Sequence, residues 1–117
     1  DTSPCTLFHD GEVASVTIVY DGALYILHVD QQSAWHSSPY FAMRFDGRRP
    51  LTISTDRHVQ DGTRLTVQDR GFANVLNGLR DNQTATAFTQ SAAQTFDLTG
   101  AAAAADAFQR CTQPATS

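Results

Sequence analysis

Histidine and cysteine are the side chains of this sequence that are best suited to metal binding or redox chemistry. The four histidines are His9, His28, His36 and His58. None of them shows the H-x-H or H-x-x-x-H spacing that is usual in zinc and copper sites, and the two cysteines are too far apart for a C-x-x-C redox pair. We therefore expect no metal and no cofactor. We expect His28 to be a hydrogen-bonded strand residue, and a site in which His28 meets His36 is the alternative.

Motifs of catalysis are also missing from the sequence. The chain has no G-x-S-x-G nucleophile elbow, no P-loop and no G-x-G-x-x-G loop. It has no lysine, which excludes Schiff-base and lysine-base chemistry. A single glutamate, Glu12, and scattered aspartates give no carboxylate pair that the sequence can place. We predict that the protein is not an enzyme.

The two cysteines, Cys5 and Cys111, lie near opposite ends of the chain. One disulfide between them would close a very long loop, which the chain-entropy model values at up to about 4.7 kcal/mol. Because disulfides persist in oxidising compartments, this pairing predicts a periplasmic or secreted protein. The alternative is a cytosolic protein with two unpaired, buried thiols.

Arginine is the only basic residue apart from histidine, and it is concentrated in the middle of the chain. The net charge is −4, but residues 44–80 carry seven arginines against four aspartates. The negative total disfavours nucleic acid and anionic membranes as general partners. A guanidinium group binds carboxylate or phosphate through two parallel hydrogen bonds. These arginines therefore predict a surface for an acidic protein or an anionic envelope component.

Aromatic side chains just before this basic region are candidates for an anchor in the same surface. The predicted binding residues are Trp35, His36, Tyr40, Arg44, Arg48, Arg49 and Arg57. One alternative is a solvated face on which the arginines pair with Asp46, Asp56 and Asp61. A second is that Trp35 points inward and takes no part in binding.

Four Asp-Gly pairs divide the first part of the chain into short segments with β-favouring residues. These pairs are Asp10-Gly11, Asp21-Gly22, Asp46-Gly47 and Asp61-Gly62. They are typical of type I′ hairpin turns, because glycine accepts a positive φ. The strands predicted here cover residues 5–9, 12–20, 23–30, 39–45, 50–59 and 63–68. The third is apolar on both sides, which predicts a central strand that is buried on both faces.

The hydrophobic period changes from two to helical spacing after residue 69. Apolar residues at this spacing are Phe72, Val75, Leu76 and Leu79. They predict an amphipathic helix with Asp69 as its N-cap and an early end at Asn77-Gly78. Two further strands, 84–89 and 94–98, and an alanine-rich helix that starts at Thr99 or Gly100 and ends at Cys111 are predicted next.

The fold class predicted for residues 1–117 is a single α+β domain. It consists mainly of an antiparallel β sandwich or partly open barrel of about eight strands, with two helices of which the last is C-terminal. No apolar run approaches the roughly 20 residues of a membrane-spanning helix, so no membrane span is predicted.

Two segments of the second half resemble known families of small exported Gram-negative proteins. They are GFANVLNGLRDNQTATAF, residues 71–88, and FDLTGAAAAADAFQRC, residues 96–111. Both are similar to the C-terminal half of the invasion-associated-locus-B-like family, and a type VI secretion-associated family ends in a comparable strand, glycine, helix and cysteine. Residues 1–38 lie outside this resemblance. The resemblance implies an exported, β-rich accessory protein that has no established catalytic residues.

Three functional hypotheses follow from these features. The first is a non-enzymatic periplasmic or secreted interaction module that binds a protein or an envelope component. The second is an inhibitor of a secreted hydrolase such as a lysozyme or a protease, whose basic surface would meet the acidic N-terminal third. The third is a β domain that binds a small apolar ligand, which requires a cavity. The identity of the partner and the oligomeric state are left open.

Overall fold

A computed structural model describes residues 4–113, in which nine strands and two helices are formed. The strands are β1 (Cys5–Asp10), β2 (Ala14–Tyr20), β3 (Tyr25–Gln31), β4 (Phe41–Gly47), β5 (Leu51–Thr55), β6 (Val59–Asp61), β7 (Arg64–Asp69), β8 (Asn82–Thr89) and β9 (Ala93–Asp97). The helices are α1 (Ala73–Asp81) and α2 (Ala101–Thr112). The predicted α+β class with a C-terminal helix is confirmed.

The strands form two separate antiparallel sheets. The first sheet has the order β1-β2-β3-β7-β6, and the second has the order β5-β4-β8-β9. Period-two alternation places apolar side chains on the faces that meet between the sheets. Buried residues of the first sheet include Leu7, Val16, Ile18, Leu27, Val29, Leu65 and Val67, and those of the second include Phe41, Met43, Phe45, Ala85, Ala87 and Phe96. They belong to one continuous core.

Two strand predictions need correction. The strand predicted over residues 50–59 is divided, because β5 ends at Thr55 and β6 begins at Val59 in the other sheet. The backbone N–H of Arg57 donates to Thr55 Oγ1 at 3.0 Å within the turn that separates them. Strand β3 is central in its sheet, as predicted, but Ile26 and His28 on its outer face are only half-buried.

The turns at the Asp-Gly pairs are not of type I′. Gly22, Gly47 and Gly62 have positive φ, but none of the four aspartates does, whereas a type I′ turn needs a positive φ at both central residues. Asp21 shows what the aspartate does instead. Its Oδ1 accepts two backbone N–H groups of its own turn, each at 2.9 Å. The side chain of the aspartate therefore stabilises the turn, and glycine supplies the unusual backbone angle.

Helix α1 begins and ends differently from the prediction. Asp69 is the last residue of β7, and the N-cap position is occupied by Phe72, whose side chain makes no capping hydrogen bond. The helix also passes through Gly78 without ending. Gly78 is buried against the Phe45 ring, and a Cβ atom at this position would overlap that ring. Close packing between α1 and β4 thus explains a glycine that the sequence presents as a helix terminator.

We expect the Gly78→Ala substitution to destabilise the protein, although alanine favours helix by about 1 kcal/mol over glycine. The Phe45 ring is fully buried, and overpacking a core typically costs about 1–3 kcal/mol. Urea denaturation should therefore show a lower midpoint for Gly78→Ala. In the control, adding Gly78→Ala to a Phe45→Leu background should cost less than in the wild type. A midpoint at or above the wild-type value would contradict the packing explanation.

Helix α2 lies against β1 and is joined to it covalently. Cys5 and Cys111 form the predicted disulfide, with their Cα atoms 5.8 Å apart. Ala101, Ala105 and Phe108 are the buried side chains of the helix. The small alanines allow a close approach to the sheet, and Phe108 fills the space between the helix and Tyr25. Within residues 4–113, neither helix is long and apolar enough to cross a membrane.

Candidate binding surface beside strand β5

Trp35 lies inside the protein, so its predicted role as a surface anchor is wrong. Its side chain is only 4% exposed, and its Nε1–H donates to the Val29 carbonyl oxygen at 3.1 Å. The ring meets the Phe41 ring edge-on, with centroids 6.1 Å apart. The indole thus finds a hydrogen-bond acceptor within the core, which is the usual requirement for a buried tryptophan.

The other six predicted residues are exposed, but they do not form one patch. Tyr40 and Arg57 lie at one end of the β4–β5 hairpin, where Phe41 pairs with Thr55. Arg48 and Arg49 lie at the other end, about 25 Å away along the strand direction. The strand geometry therefore separates the predicted surface into two ends.

Of the two remaining predicted residues, Arg44 already has an intramolecular partner and His36 stands apart from the others. Arg44 lies on the outer face of β4 and pairs with Asp46, with Nε 3.0 Å from Oδ2. This pair corresponds to the alternative of a solvated, neutralised face. His36 is exposed in the loop before β4, without a hydrogen bond from its side chain to another described residue.

Arg48 and Arg49 form what we name the arginine turn, and Arg48 shares the carboxylate of Asp81 with Arg80. Arg48 Nη2 is 3.4 Å from Asp81 Oδ1, and Arg80 Nε is 3.2 Å from the same oxygen. The Arg49 backbone N–H donates to Asn82 Oδ1 at 3.0 Å, which fixes the turn against the end of α1. The Arg48 side chain is 78% exposed, whereas that of Asp81 is 8% exposed.

Arginine side chains outnumber carboxylates at this site. The hydrogen bond from Arg80 is the main cause that lowers the pKa of Asp81, and the charges of Arg48 and Arg49 lower it further. The lowered pKa favours the ionised form of Asp81, which contacts the guanidinium groups of Arg80 and Arg48. Among Arg48, Arg49, Arg80 and Asp81, three positive charges stand against one negative charge, and Arg48 and Arg49 are exposed.

Sequence reasoning missed Arg80 and Asp81. They lie far from the arginine turn in the sequence: Arg48 and Asp81 are 33 positions apart. The sequence predicts that the helix ends at Asn77-Gly78, before these two residues, and gives no indication of which turn they face. Arg80 is further held by Asn77 Oδ1 at 2.7 Å and by Gln109 Oε1 at 3.0 Å.

A cleft of about 490 Å³ opens beside β5, between the two sheets and the start of α1. Its apolar wall includes Leu27, Phe41, Met43, Ile53, Val67 and Phe72. Polar groups, among them Thr55, Asp69 and Asn74, also line it. The inward-facing Leu51 and Ile53 of β5 are only half-buried, and both pack against the core.

The arginine on the first sheet is neutralised, in contrast to the arginine turn. Arg64 binds Asp30 through two parallel hydrogen bonds of 2.8 and 3.1 Å.

His28 Nδ1 lies 2.9 Å from Thr66 Oγ1, which confirms the predicted hydrogen-bonded strand histidine. Partial burial lowers the pKa of His28, and the charge of Arg64 lowers it further. No group of three potential metal ligands occurs among residues 4–113.

No family model, curated protein or solved structure matches this chain. The resemblance of residues 71–88 and 96–111 to small exported proteins therefore stays a prediction.

Proposed function

We propose that this protein is a non-enzymatic binding module that recognises an acidic partner protein through the arginine turn. The observation that carries the proposal is the excess of positive charge at this turn, where Arg48 and Arg80 share Asp81 and Arg49 is exposed beside them. Two exposed guanidinium groups without a full counter-charge can form bidentate hydrogen bonds with carboxylates of a partner. Charge complementarity of this kind raises the association rate and selects the partner.

The compartment that we propose is the periplasm or the exterior of the cell. The Cys5–Cys111 disulfide supports it, since such bonds are rare in the reducing cytosol. The resemblance of the second half to exported accessory proteins points in the same direction. An oxidising compartment would keep the disulfide intact, and the disulfide fixes α2. Helix α1 packs against α2, and the arginine turn is held at the end of α1.

The hydrolase-inhibitor hypothesis has less support from the described residues. It depends on the acidic N-terminal third as a contact surface. Asp21, however, stabilises its own turn, and Asp30 is paired with Arg64. The small-ligand hypothesis gains a cavity from the cleft beside β5, and it is one of the outcomes of the experiment in the next subsection.

The Arg48→Ala/Arg49→Ala double variant tests the proposed function. We expect the oxidised wild-type protein to capture an acidic partner from an envelope or secreted fraction at low salt, and the double variant to lose it. After purification of that partner, we expect the double variant to weaken binding by about tenfold or more, since charge-assisted hydrogen bonds contribute roughly 1.5–3 kcal/mol. The salt dependence of binding should decrease in parallel.

The matched control is Arg64→Ala/Arg110→Ala, which removes the same charge from other exposed positions. This control should bind as the wild type does, because surface pairs such as Arg64–Asp30 contribute little to stability. Equal loss of binding in both double variants would mean that only total charge matters. Unchanged binding in Arg48→Ala/Arg49→Ala would refute the proposed function.

A further inference from the structure

We propose that the partner is bound as an extended strand that pairs with the free edge of β5 and places apolar side chains in the cleft. This inference rests on the proposed function and names the conformation and chemistry of the partner segment. The segment would have acidic residues at both ends and alternating apolar residues between them. Such strand addition uses backbone hydrogen bonds for affinity and pockets for selectivity.

The edge of β5 is less protected than the other edges of this fold, although α1 contacts this strand and Pro50 precedes it. Strand β1 is flanked by α2, β6 is only three residues long and contains Asp61, and β9 contains Asp97. Strand β5, with the sequence Leu-Thr-Ile-Ser-Thr, contains no charged residue and no proline. Within residues 4–113, no strand pairs with its second side. Natural sheets usually protect such an edge against pairing, so an edge with an uncharged strand is a candidate for strand addition.

The direction of the free backbone groups on β5 follows from the hydrogen bonds of the second sheet. The Thr89 N–H donates to the Ala92 oxygen, and the Leu98 N–H donates to the Gln83 oxygen, each linking β8 to β9. The backbone N–H and C=O groups of successive residues point to alternate sides of a strand. The pairing registers from β9 through β8 and β4 to β5 therefore give the side to which each residue of β5 points these groups. The N–H and C=O groups of Thr52 and Ser54 then point away from β4, where an added strand would lie.

The cleft supplies the space for the inward side chains of an added strand. Such a strand would extend the second sheet beyond β5 and face Val67 of the first sheet. The half-buried Ile53 and the apolar wall of the cleft would then be covered. Its volume of about 490 Å³ lies within the range of roughly 300–1,000 Å³ that is usual for binding pockets.

The charges at the two ends of β5 select an acidic segment over a second copy of this chain. The arginine turn precedes β5, and Asp56 and Arg57 follow it, so positive charge is in excess only at the end with the arginine turn. Antiparallel pairing of two β5 strands would bring the arginine turn of one copy towards both Arg57 and Asp56 of the other, which gives little net attraction. The carboxylates of an acidic segment are attracted to the arginine turn without this opposing arginine.

The probe for this proposal is the synthetic peptide Asp-Asp-Thr-Ile-Thr-Val-Thr-Asp-Asp, titrated into the oxidised, isotope-labelled protein. We expect the backbone amides of Thr52 and Ser54 to shift and to become protected from hydrogen exchange when the peptide binds. A peptide in which Ile and Val are replaced by Ser should bind at least about tenfold more weakly, since it leaves the cleft empty.

The Ser54→Pro variant removes an outward N–H and blocks an added strand, while pairing with β4 is retained. We expect it to weaken peptide binding by about tenfold or more. The matched control is Ala93→Pro, at an outward position on the opposite edge of the same sheet, and it should bind as the wild type does. Urea denaturation of both variants checks that they are folded. The exchange measurement on the wild-type protein does not depend on either variant.

The outcomes separate this inference from the proposed function. If Ser54→Pro binds an acidic partner normally and Arg48→Ala/Arg49→Ala does not, the arginine turn is the binding site and strand addition is overturned. If the peptide does not bind but the uncharged dye phenylnaphthylamine binds in the cleft, strand addition is overturned in favour of a small-ligand site. Protection of Thr52 and Ser54 together with loss in Ser54→Pro supports strand addition.

Discussion

Removal of the Cys5–Cys111 disulfide is expected to lower the free energy of unfolding by about 2–5 kcal/mol. The bond joins residues 106 positions apart and so restricts the unfolded chain over most of its length. It also holds α2 against β1, where Ala105 and Phe108 complete the core. The Cys5→Ala/Cys111→Ala variant should therefore unfold at a clearly lower urea concentration than the oxidised wild type.

A reducing agent provides the control for this prediction. It should shift the unfolding midpoint of the wild type towards that of the double variant and leave the variant itself unchanged. Amide hydrogen exchange should show that α2 loses protection first, because the bond is its covalent link to β1. Equal midpoints for oxidised and reduced wild type would show that packing alone holds the helix.

The second large effect is expected for Trp35→Ala, which should destabilise the protein by about 3–5 kcal/mol. The substitution leaves a cavity beside Phe41 and removes the donor to the Val29 carbonyl oxygen. Trp35→Phe should cost less, since it keeps most of the apolar volume and loses mainly the hydrogen bond, worth about 0.5–1.5 kcal/mol. Urea denaturation followed by circular dichroism measures both losses.

Fluorescence of the wild type gives an independent check, because Trp35 is the only tryptophan. Its emission should be blue-shifted and weakly quenched by acrylamide in the native protein, and both properties should change on unfolding. If instead Trp35→Ala kept its stability but lost partner binding, the side chain would belong to the binding surface after all.

The parts of the fold that the sequence predicts are those decided by local periodicity. The inward side of β4 follows from the alternation of Phe41, Met43 and Phe45, and the final helix follows from its alanine run. The disulfide could be predicted because only one pairing of two cysteines exists. These signals need no knowledge of which elements meet in space.

The features that were mispredicted depend on contacts between distant segments. Gly78 stays within α1 because the Phe45 ring needs the space, and no local pattern contains that information. Trp35 is amphipathic, so a polar loop does not indicate whether its ring points inward or outward. The candidate site has the same character: its arginines are visible in the sequence, but their shared carboxylate and the neighbouring cleft are products of the tertiary fold.

The disulfide also determines how the molecule would respond to mechanical force. Tension applied between its two ends passes through the Cys5–Cys111 bond, so nearly all of the sandwich lies outside the load path. The oxidised protein can be stretched without extending the chain between these residues. After reduction, the same pull could draw out that chain to about 350 Å. A module tethered at both ends would thus keep the edge of β5 in shape under load only while the bond is intact.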